Sequence, residues 1–158
     1  MIKIVEMDEK VTLSDQMEEK NVGPLILINK FNVIPEEIEG FLKVWAGAAE
    51  IFKQQPGYIS AQLHRGIAGS CVFVAYVVFE SPELLKKAFN NPDFQSKLLE
   101  YSAGTVASPH LFKKVAVQGI CVGWIFMVCE MANLVETDEH ATFLCSGIHE
   151  AIMSYSHC

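Results

Sequence analysis

The segment at residues 71–81, CVFVAYVVFES, constrains the fold more than any other part of the chain. Its valine and aromatic residues lose side-chain freedom in a helix, so the segment favours a strand. Both faces of this central strand are apolar, and a strand of that kind must be covered on both sides. The two alternating rows are Cys71, Phe73, Ala75, Val77 and Phe79, and Val72, Val74, Tyr76 and Val78.

Proline and glycine positions divide the rest of the apolar sequence into short elements. Alternating residues predict strands, and apolar residues at helical spacing after a proline predict helices. The predicted order is a strand at 25–33, a helix from Pro35 to residues 55–57, strands at 58–65 and 71–81, helices opening at Pro82 and Pro92, and a strand at 111–117. This βαββαβ order predicts an α+β, ferredoxin-like antiparallel sheet with its helices on one face.

Helices on one face leave the other face of the central strand uncovered. An apolar patch of that size is too large to leave in water. The economical cover is a second copy of the chain, packed sheet against sheet across a two-fold axis. We therefore expect a homodimer that forms a dimeric barrel. The pattern leaves open which row of residues 71–81 meets the helices and which meets the partner.

Composition limits the partners and the compartment. The 158-residue chain is 51% hydrophobic, which fits a folded domain. Its net charge of −7 argues against nucleic acid as a partner, because phosphate-binding surfaces are basic. Five cysteines without a CxxC pair, and a start that does not resemble a signal peptide, predict free thiols in the cytoplasm.

The two ends of the chain differ in charge from its middle. Residues 1–22 carry six acids and three lysines, and residues 118–158 carry five acids and neither lysine nor arginine. We expect an acidic N-terminal arm at 1–22, with a short strand and then a mobile segment, before a folded domain at 23–117. The apolar run at 115–129 is shorter than the roughly 20 residues that span a bilayer. The C-terminal extension at 118–158, of unknown role, is thus expected to pack on the core or the dimer interface, without membrane contact.

Five short segments carry a resemblance to a known family: LINKF (27–31), FLKVW (41–45), QPGYISAQLHR (55–65), AYVVFES (75–81) and PHLFKKVAV (109–117). They resemble the antibiotic biosynthesis monooxygenase (ABM) domain of the dimeric α+β barrel superfamily. The resemblance implies a ferredoxin-like protomer, a homodimer and a pocket between sheet and helices. The family includes cofactor-independent oxygenases of polycyclic phenols, haem-degrading enzymes and many members without an assigned activity.

The resemblance transfers to individual residues in part. Asn29 stands where the family often has a pocket asparagine, and its row should face the helices. Phe79 stands where many members have tryptophan, and Ala75 where many have asparagine. The haem-degrading branch has an axial histidine on the helix after the central strand. Residues 82–101 contain no histidine, which disfavours haem. The resemblance to the cofactor-independent oxygenases implies that no cofactor is needed.

A cofactor-independent oxygenase must hold a phenol, assist the loss of its proton and exclude water. Asn29 and Tyr76 are the candidate catalytic residues. Structural interpretations compete: the Asn29 amide could be satisfied by backbone, Trp45 could be plain core, and His64 could face solvent or a partner. The candidate substrate-pocket residues are Trp45, His64, Arg65, Phe79 and Tyr101.

Motifs for nucleophilic, nucleotide-dependent or zinc-dependent chemistry are missing from the sequence. Cys145 and His149 are four residues apart, but two ligands do not make a metal site. Two functional hypotheses remain. The first is an ABM-type monooxygenase acting on an aromatic or phenolic small molecule. The second is a non-catalytic dimeric barrel that binds a small apolar ligand or has a structural or stress-related role.

Overall fold

A five-stranded sheet with helices against one face forms the frame of the protein, and the computed structural model describes residues 2–117. The expectations for residues 118–158 lie outside this range. A 3₁₀ turn at Pro35–Glu37 leads into the longest helix. The strands are β1 (Lys3–Ile4), β2 (Leu25–Asn32), β3 (Tyr58–Arg65), β4 (Val72–Phe79) and β5 (Val106–Phe112), and the helices are α1 (Leu13–Gln16), α2 (Ile38–Lys53), α3 (Pro82–Phe89) and α4 (Pro92–Glu100).

The strand order is β1-β5-β2-β4-β3. Within the series β5-β2-β4-β3, each pair of adjacent strands is antiparallel. This is the ferredoxin-like arrangement that the βαββαβ order predicts. β1 differs, because it pairs with β5 in parallel and makes the sheet mixed. The backbone N–H groups of Lys3 and Val5 donate to the carbonyls of Thr105 and Ala107 at 3.0 and 2.9 Å.

Gly57 allows α2 to turn directly into β3. Its φ angle is +84°, in the left-handed region, and a Cβ atom there would lie 2.6 Å from Cδ1 of Leu84. Glycine thus meets two requirements at this turn, one of backbone conformation and one of space. The Glu80 N–H donates to the Gly57 carbonyl at 2.8 Å and ties the turn to the end of β4.

Side-chain caps fix the starts of α3 and α4. The Ser81 hydroxyl accepts a hydrogen bond from the Leu84 N–H at 3.3 Å, and the side-chain Oδ1 of Asn91 accepts one from the Asp93 N–H at 2.8 Å. Each cap precedes a proline at the first helical position, as the sequence predicts. Among the helices at residues 2–117, none has the length and apolar character required to cross a bilayer.

The two rows of β4 face different environments. Phe73, Ala75, Val77 and Phe79 are buried against the helices, on the same side as Asn29 of β2, which lies opposite Ala75. The alternation of β2 thus predicts the direction of Asn29 correctly. Tyr76 lies on the opposite side, which we call the outer face of the sheet. The other outer-face residues include Ile26, Ile28, Val74, Val78, His110 and Phe112.

The last strand is β5 at Val106–Phe112, so the prediction of 111–117 is wrong by about five residues. The prediction left Pro109 outside the strand, because proline lacks the N–H group that a central strand needs for its hydrogen bonds. The Leu111 N–H points away from β2, to the side chain of Gln16, and by alternation the nitrogen of Pro109 points the same way. β1 reaches only Ala107 on that edge. The missing donor therefore breaks no ladder hydrogen bond.

Candidate functional site

A cavity of about 250 Å³ lies between the sheet and helices α2 and α4. Five alanines line it, at positions where larger side chains would fill the space. Its lining is otherwise mostly aliphatic and aromatic, with few polar groups. The lining residues are Ile2, Ile4, Leu13, Leu27, Asn29, Phe31, Trp45, Ala48, Ala49, Phe52, Ala61, Ala75, Val77, Phe89, Phe94, Gln95, Leu98, Tyr101, Ala107 and Pro109.

Asn29 brings a polar group to this apolar wall. It lies in the middle of β2, opposite Ala75 on one side and Pro109 on the other. Neither neighbour has a side-chain donor. Asn29 Oδ1 is buried and has no hydrogen-bond partner among residues 2–117. A buried acceptor in that state costs on the order of 1–3 kcal/mol, and a ligand with a donor group would remove the cost.

Tyr101 follows α4 and is 4% exposed. Its ring stacks on Phe31, with centroids 6.3 Å apart, and tilts against Phe41 at 5.9 Å. Burial raises the pKa of the Tyr101 phenol above its ordinary value, because the ionised form would lose its hydration. The group is therefore a neutral phenol at physiological pH.

The structure brings together three of the predicted site residues, Asn29, Trp45 and Tyr101, on the wall of one cavity. Trp45 lies in α2 and packs against the hydrophobic core from a partly buried position. The sequence left open whether Trp45 belongs to the core or lines a pocket. In the structure its indole does both.

The other four predicted residues do not line this cavity. Tyr76 and His64 lie on the outer face, opposite Ile28 and Val74 respectively. Phe79 is fully buried, with its ring centroid 5.7 Å from that of Phe52.

Arg65 is the fourth of these residues. It is exposed at the end of β3, where its Nε donates to the Ser70 carbonyl at 3.0 Å. Its guanidinium lies 5.5 Å from the centre of the Phe73 ring.

Sequence reasoning missed part of the wall. Ile2, Ile4 and Leu13 come from the segment expected to be an acidic arm, and Gln95 comes from α4. The signal was the apolar pair in IKIV, whose two isoleucines alternate as in a strand with one buried face. The polar residues that follow hid the contribution of Leu13.

The part of the chain that the structure describes has no cluster of metal ligands. Within residues 2–117, no three histidine, cysteine, aspartate or glutamate side chains come close enough to hold a metal ion. The cavity lining in the same range includes no histidine, cysteine or methionine, which are common axial ligands of haem. Tyr101, a buried neutral phenol, is the one described lining residue of a type that ligates haem iron.

The described part of the chain is similar to a known protein family and to several solved structures. Residues 24–96 match the family model described as antibiotic biosynthesis monooxygenase. SnoaB from Streptomyces nogalater, described as a cofactor-independent oxygenase, is 21% identical with a TM-score of 0.55, and the match covers 62% of this chain and 99% of SnoaB. A candidate monooxygenase from Shewanella loihica PV-4 is 26% identical with a TM-score of 0.51, covering 60% of this chain and 97% of its own.

No curated protein matches the sequence. The family match includes Asn29, the β3–β4 hairpin and most of α2 through α4, while the strand that supplies Pro109 follows it. The topology of β5, β2, β4 and β3 agrees with that match. The protein therefore carries an antibiotic biosynthesis monooxygenase domain at residues 24–96.

Proposed function

We propose that the protein is a cofactor-independent monooxygenase that oxidises a small aromatic phenol in the cavity between sheet and helices. The observation that carries the proposal is the buried, unpartnered Oδ1 of Asn29 on the wall of that cavity. SnoaB, which shares the fold, is described as a cofactor-independent oxygenase.

The cavity wall supports a particular class of ligand. Its apolar and aromatic lining favours a flat hydrocarbon skeleton, and Asn29 supplies an acceptor for one hydroxyl group. A cavity of about 150 Å³ accommodates benzene, so 250 Å³ suits a skeleton of about two fused rings. A phenol of that size matches both the volume and the single acceptor.

The chemistry needs little from the protein. A phenol with a hydrogen on the ring carbon para to its hydroxyl loses that hydrogen and the hydroxyl hydrogen; one atom of O₂ becomes a carbonyl oxygen at the para carbon, the phenolic oxygen becomes the second carbonyl of a quinone, and the other atom of O₂ leaves as water. The electrons come from the substrate. Asn29 would hold the phenolic O–H, and the apolar wall would keep bulk water from the carbanion and the reduced oxygen.

Oxygen uptake tests the proposal. Hydroxylated naphthalene and anthrone compounds are added to the wild-type chain, to Asn29→Ala and to the control Asn32→Ala. Asn32 is exposed at the end of the same strand, so its replacement changes an amide outside the cavity. We expect turnover in wild type and Asn32→Ala and at least a tenfold loss in Asn29→Ala, about the value of one buried hydrogen bond. No uptake with any of the phenols would overturn the oxygenase proposal.

A second candidate is a binding protein without turnover. Among residues 2–117 the lining includes no carboxylate or imidazole that could act as a general base, and Tyr101 is held neutral by burial. In this alternative the same phenols bind without oxygen consumption. Calorimetric titration beside the uptake assay separates the two functions.

We also propose that a second copy of the chain covers the outer face of the sheet. This face carries Ile28, Val74 and Tyr76 near its centre, beside the polar side chains of Lys30, Gln62 and His64, and the helices lie on the opposite side. Sedimentation velocity at micromolar concentration should give a dimer, and Val74→Glu should give a folded monomer. Leu99→Glu, at an exposed position of α4, should remain dimeric. A wild-type monomer would contradict this proposal.

A further inference from the structure

Residues 2–17 belong to the segment predicted as an acidic arm at 1–22; they alone are called the N-terminal arm from here on, and they precede the family match, which begins at residue 24. The arm nevertheless supplies three side chains to the cavity wall: Ile2, Ile4 and Leu13. Ile2 is buried, and Leu13 packs partly buried against the core. Ile4 is 56% exposed, so it stands where the cavity meets solvent.

The first attachment of the arm is β1. Its register places Ile4 opposite Ala107, which faces the helices, and so directs Ile4 and Ile2 to the cavity side. The ladder between β1 and β5 holds this strand, together with the flanking backbone hydrogen bonds from Lys3 to Thr105 and from Val5 to Ala107. A ladder of only two residue pairs is a weak attachment.

The second attachment is Gln16. The Leu111 N–H donates to Gln16 Oε1 at 2.8 Å, and Gln16 Nε2 donates to the Leu111 carbonyl at 3.0 Å. These bonds fix the end of α1 against the free edge of β5. Leu13 lies one turn earlier on the same short helix, and Met17, beside Gln16, packs partly buried against the core. The position of the Leu13 side chain therefore depends on Gln16 together with Met17.

Between the two attachments the arm is fixed mainly by its own polar groups. Glu6 Oε2 accepts the Leu13 N–H at 2.9 Å. Thr12 and Asp15 form a capping box at the start of α1. A four-residue helix is far below the length at which helices are stable alone, and Val5 and Val11 are exposed. A segment with few buried contacts belongs to the parts of a protein that open at low free-energy cost.

We propose that the N-terminal arm is a gate and a size filter for the cavity, with Leu13 as the filtering side chain and Gln16 as the latch. The proposal rests on the proposed function only in naming the cavity as the ligand site. In the latched form, Leu13 closes the wall and limits the ligand to about two fused rings. Release of Gln16 from Leu111 removes Leu13 from the wall and opens the cavity at the β5 edge.

The latch is tested by the access of acrylamide to Trp45, which lines the cavity. The chain has two tryptophans, so all variants also carry Trp124→Phe. We expect Gln16→Ala to raise the quenching constant of Trp45 by at least about twofold, since the substitution removes both hydrogen bonds between the Gln16 side chain and Leu111. Val11→Ala, at an exposed arm position that does not line the cavity, should quench as the parent does.

The filter is tested by the size preference of binding. The dissociation constants of 1-naphthol and of the three-ring 9-anthrol are compared in the parent and in Leu13→Ala. We expect the ratio of the two affinities to shift at least about fivefold towards the larger phenol, because a methyl group replaces the isobutyl group of the wall. Circular dichroism and thermal unfolding verify that each variant is folded.

Two results would overturn the gate. One is unchanged Trp45 quenching in Gln16→Ala although hydrogen exchange at Val5 and Leu13 shows that the arm has been released. The other is an unchanged size ratio in folded Leu13→Ala. Neither measurement needs turnover. An absence of oxygen uptake would therefore contradict the oxygenase proposal without contradicting the gate proposal.

Discussion

The side chain of Gln16 pairs with the backbone of Leu111 as a neighbouring strand would. The two hydrogen bonds of 2.8 and 3.0 Å satisfy both the N–H and the carbonyl of Leu111 on the edge that faces away from β2. β1 ends before this point, so the amide extends the cover of the β5 edge. The same contact joins the N-terminal arm to the sheet that carries Asn29.

The orientation of the Gln16 amide determines the tautomer of His110. Because Oε1 accepts from Leu111, Nε2 is the donor, and it lies 2.9 Å from His110 Nε2. If that ring nitrogen accepts, the ring proton lies on Nδ1, which is buried and has no hydrogen-bond partner among residues 2–117. We expect long-range ¹H–¹⁵N correlation spectra to identify Nε2 as the unprotonated nitrogen, and Gln16→Ala to let the tautomers mix. A wild-type ring protonated on Nε2 would contradict the latch geometry.

Gly57→Ala should destabilise the protein more than Gly69→Ala. Both glycines have positive φ angles, +84° and +76°, so both substitutions carry a backbone cost of roughly 1–2 kcal/mol. Only Gly57 also has Leu84 atoms within 3 Å of the new Cβ, whereas nothing lies within 4 Å at Gly69. We expect urea unfolding to show an excess loss of about 1–3 kcal/mol for Gly57→Ala, the usual cost of overpacking. Equal losses would mean that Leu84 moves aside freely.

Phe79→Ala should cost about 3–5 kcal/mol of unfolding free energy, the usual range for a fully buried phenylalanine. The ring is 0% exposed and contacts Phe52 and Tyr58 edge-on, with centroids 5.7 and 5.9 Å apart. Leu99→Ala, on the exposed side of α4, is the control and should change stability by less than about 0.5 kcal/mol. A small loss for Phe79→Ala would show that this residue is not the core position that the structure assigns to it.

The stability of the fold should fall in alkali because of Tyr101. Burial raises the pKa of its phenol above the ordinary 10.0, so the folded state holds the proton more tightly than the unfolded chain does. The resulting stabilisation is complete below about pH 10 and is lost as the pH rises further. We expect the unfolding free energy of the wild type to decline more steeply above pH 10 than that of Tyr101→Phe. Parallel declines would show that this phenol titrates as it does in water.

Local sequence patterns predicted the frame of the protein well. The proline and cap signals at Ser81 and Asn91 start α3 and α4 where expected, and the alternation of β2 places Asn29 towards the helices. These features depend on neighbours within a few residues. For this reason one sequence is enough to predict them.

Features that depend on contacts between residues far apart in the chain could not be predicted from the sequence alone. The direction of Tyr76 needed the register between β2 and β4, because both rows of β4 are apolar. The position of β5 needed the knowledge that Pro109 lies on an edge that β1 does not reach. Leu13 could be placed in the cavity wall only through the contact between Gln16 and Leu111, which are 95 residues apart.

The central claim is that Asn29 Oδ1 accepts a hydrogen bond from a phenol in the cavity. Calorimetry can test it with two matched ligands, 1-naphthol and 1-methoxynaphthalene, of which only the first has a donor. Asn29→Leu is compared with the wild type, and Asn32→Leu is the control on the same strand.

We predict that Asn29→Leu weakens 1-naphthol about tenfold, equivalent to one hydrogen bond of about 1.4 kcal/mol. The affinity for 1-methoxynaphthalene should change little, and Asn32→Leu should bind both ligands as the wild type does. Equal effects of Asn29→Leu on the two ligands, or no effect on 1-naphthol, would contradict the account.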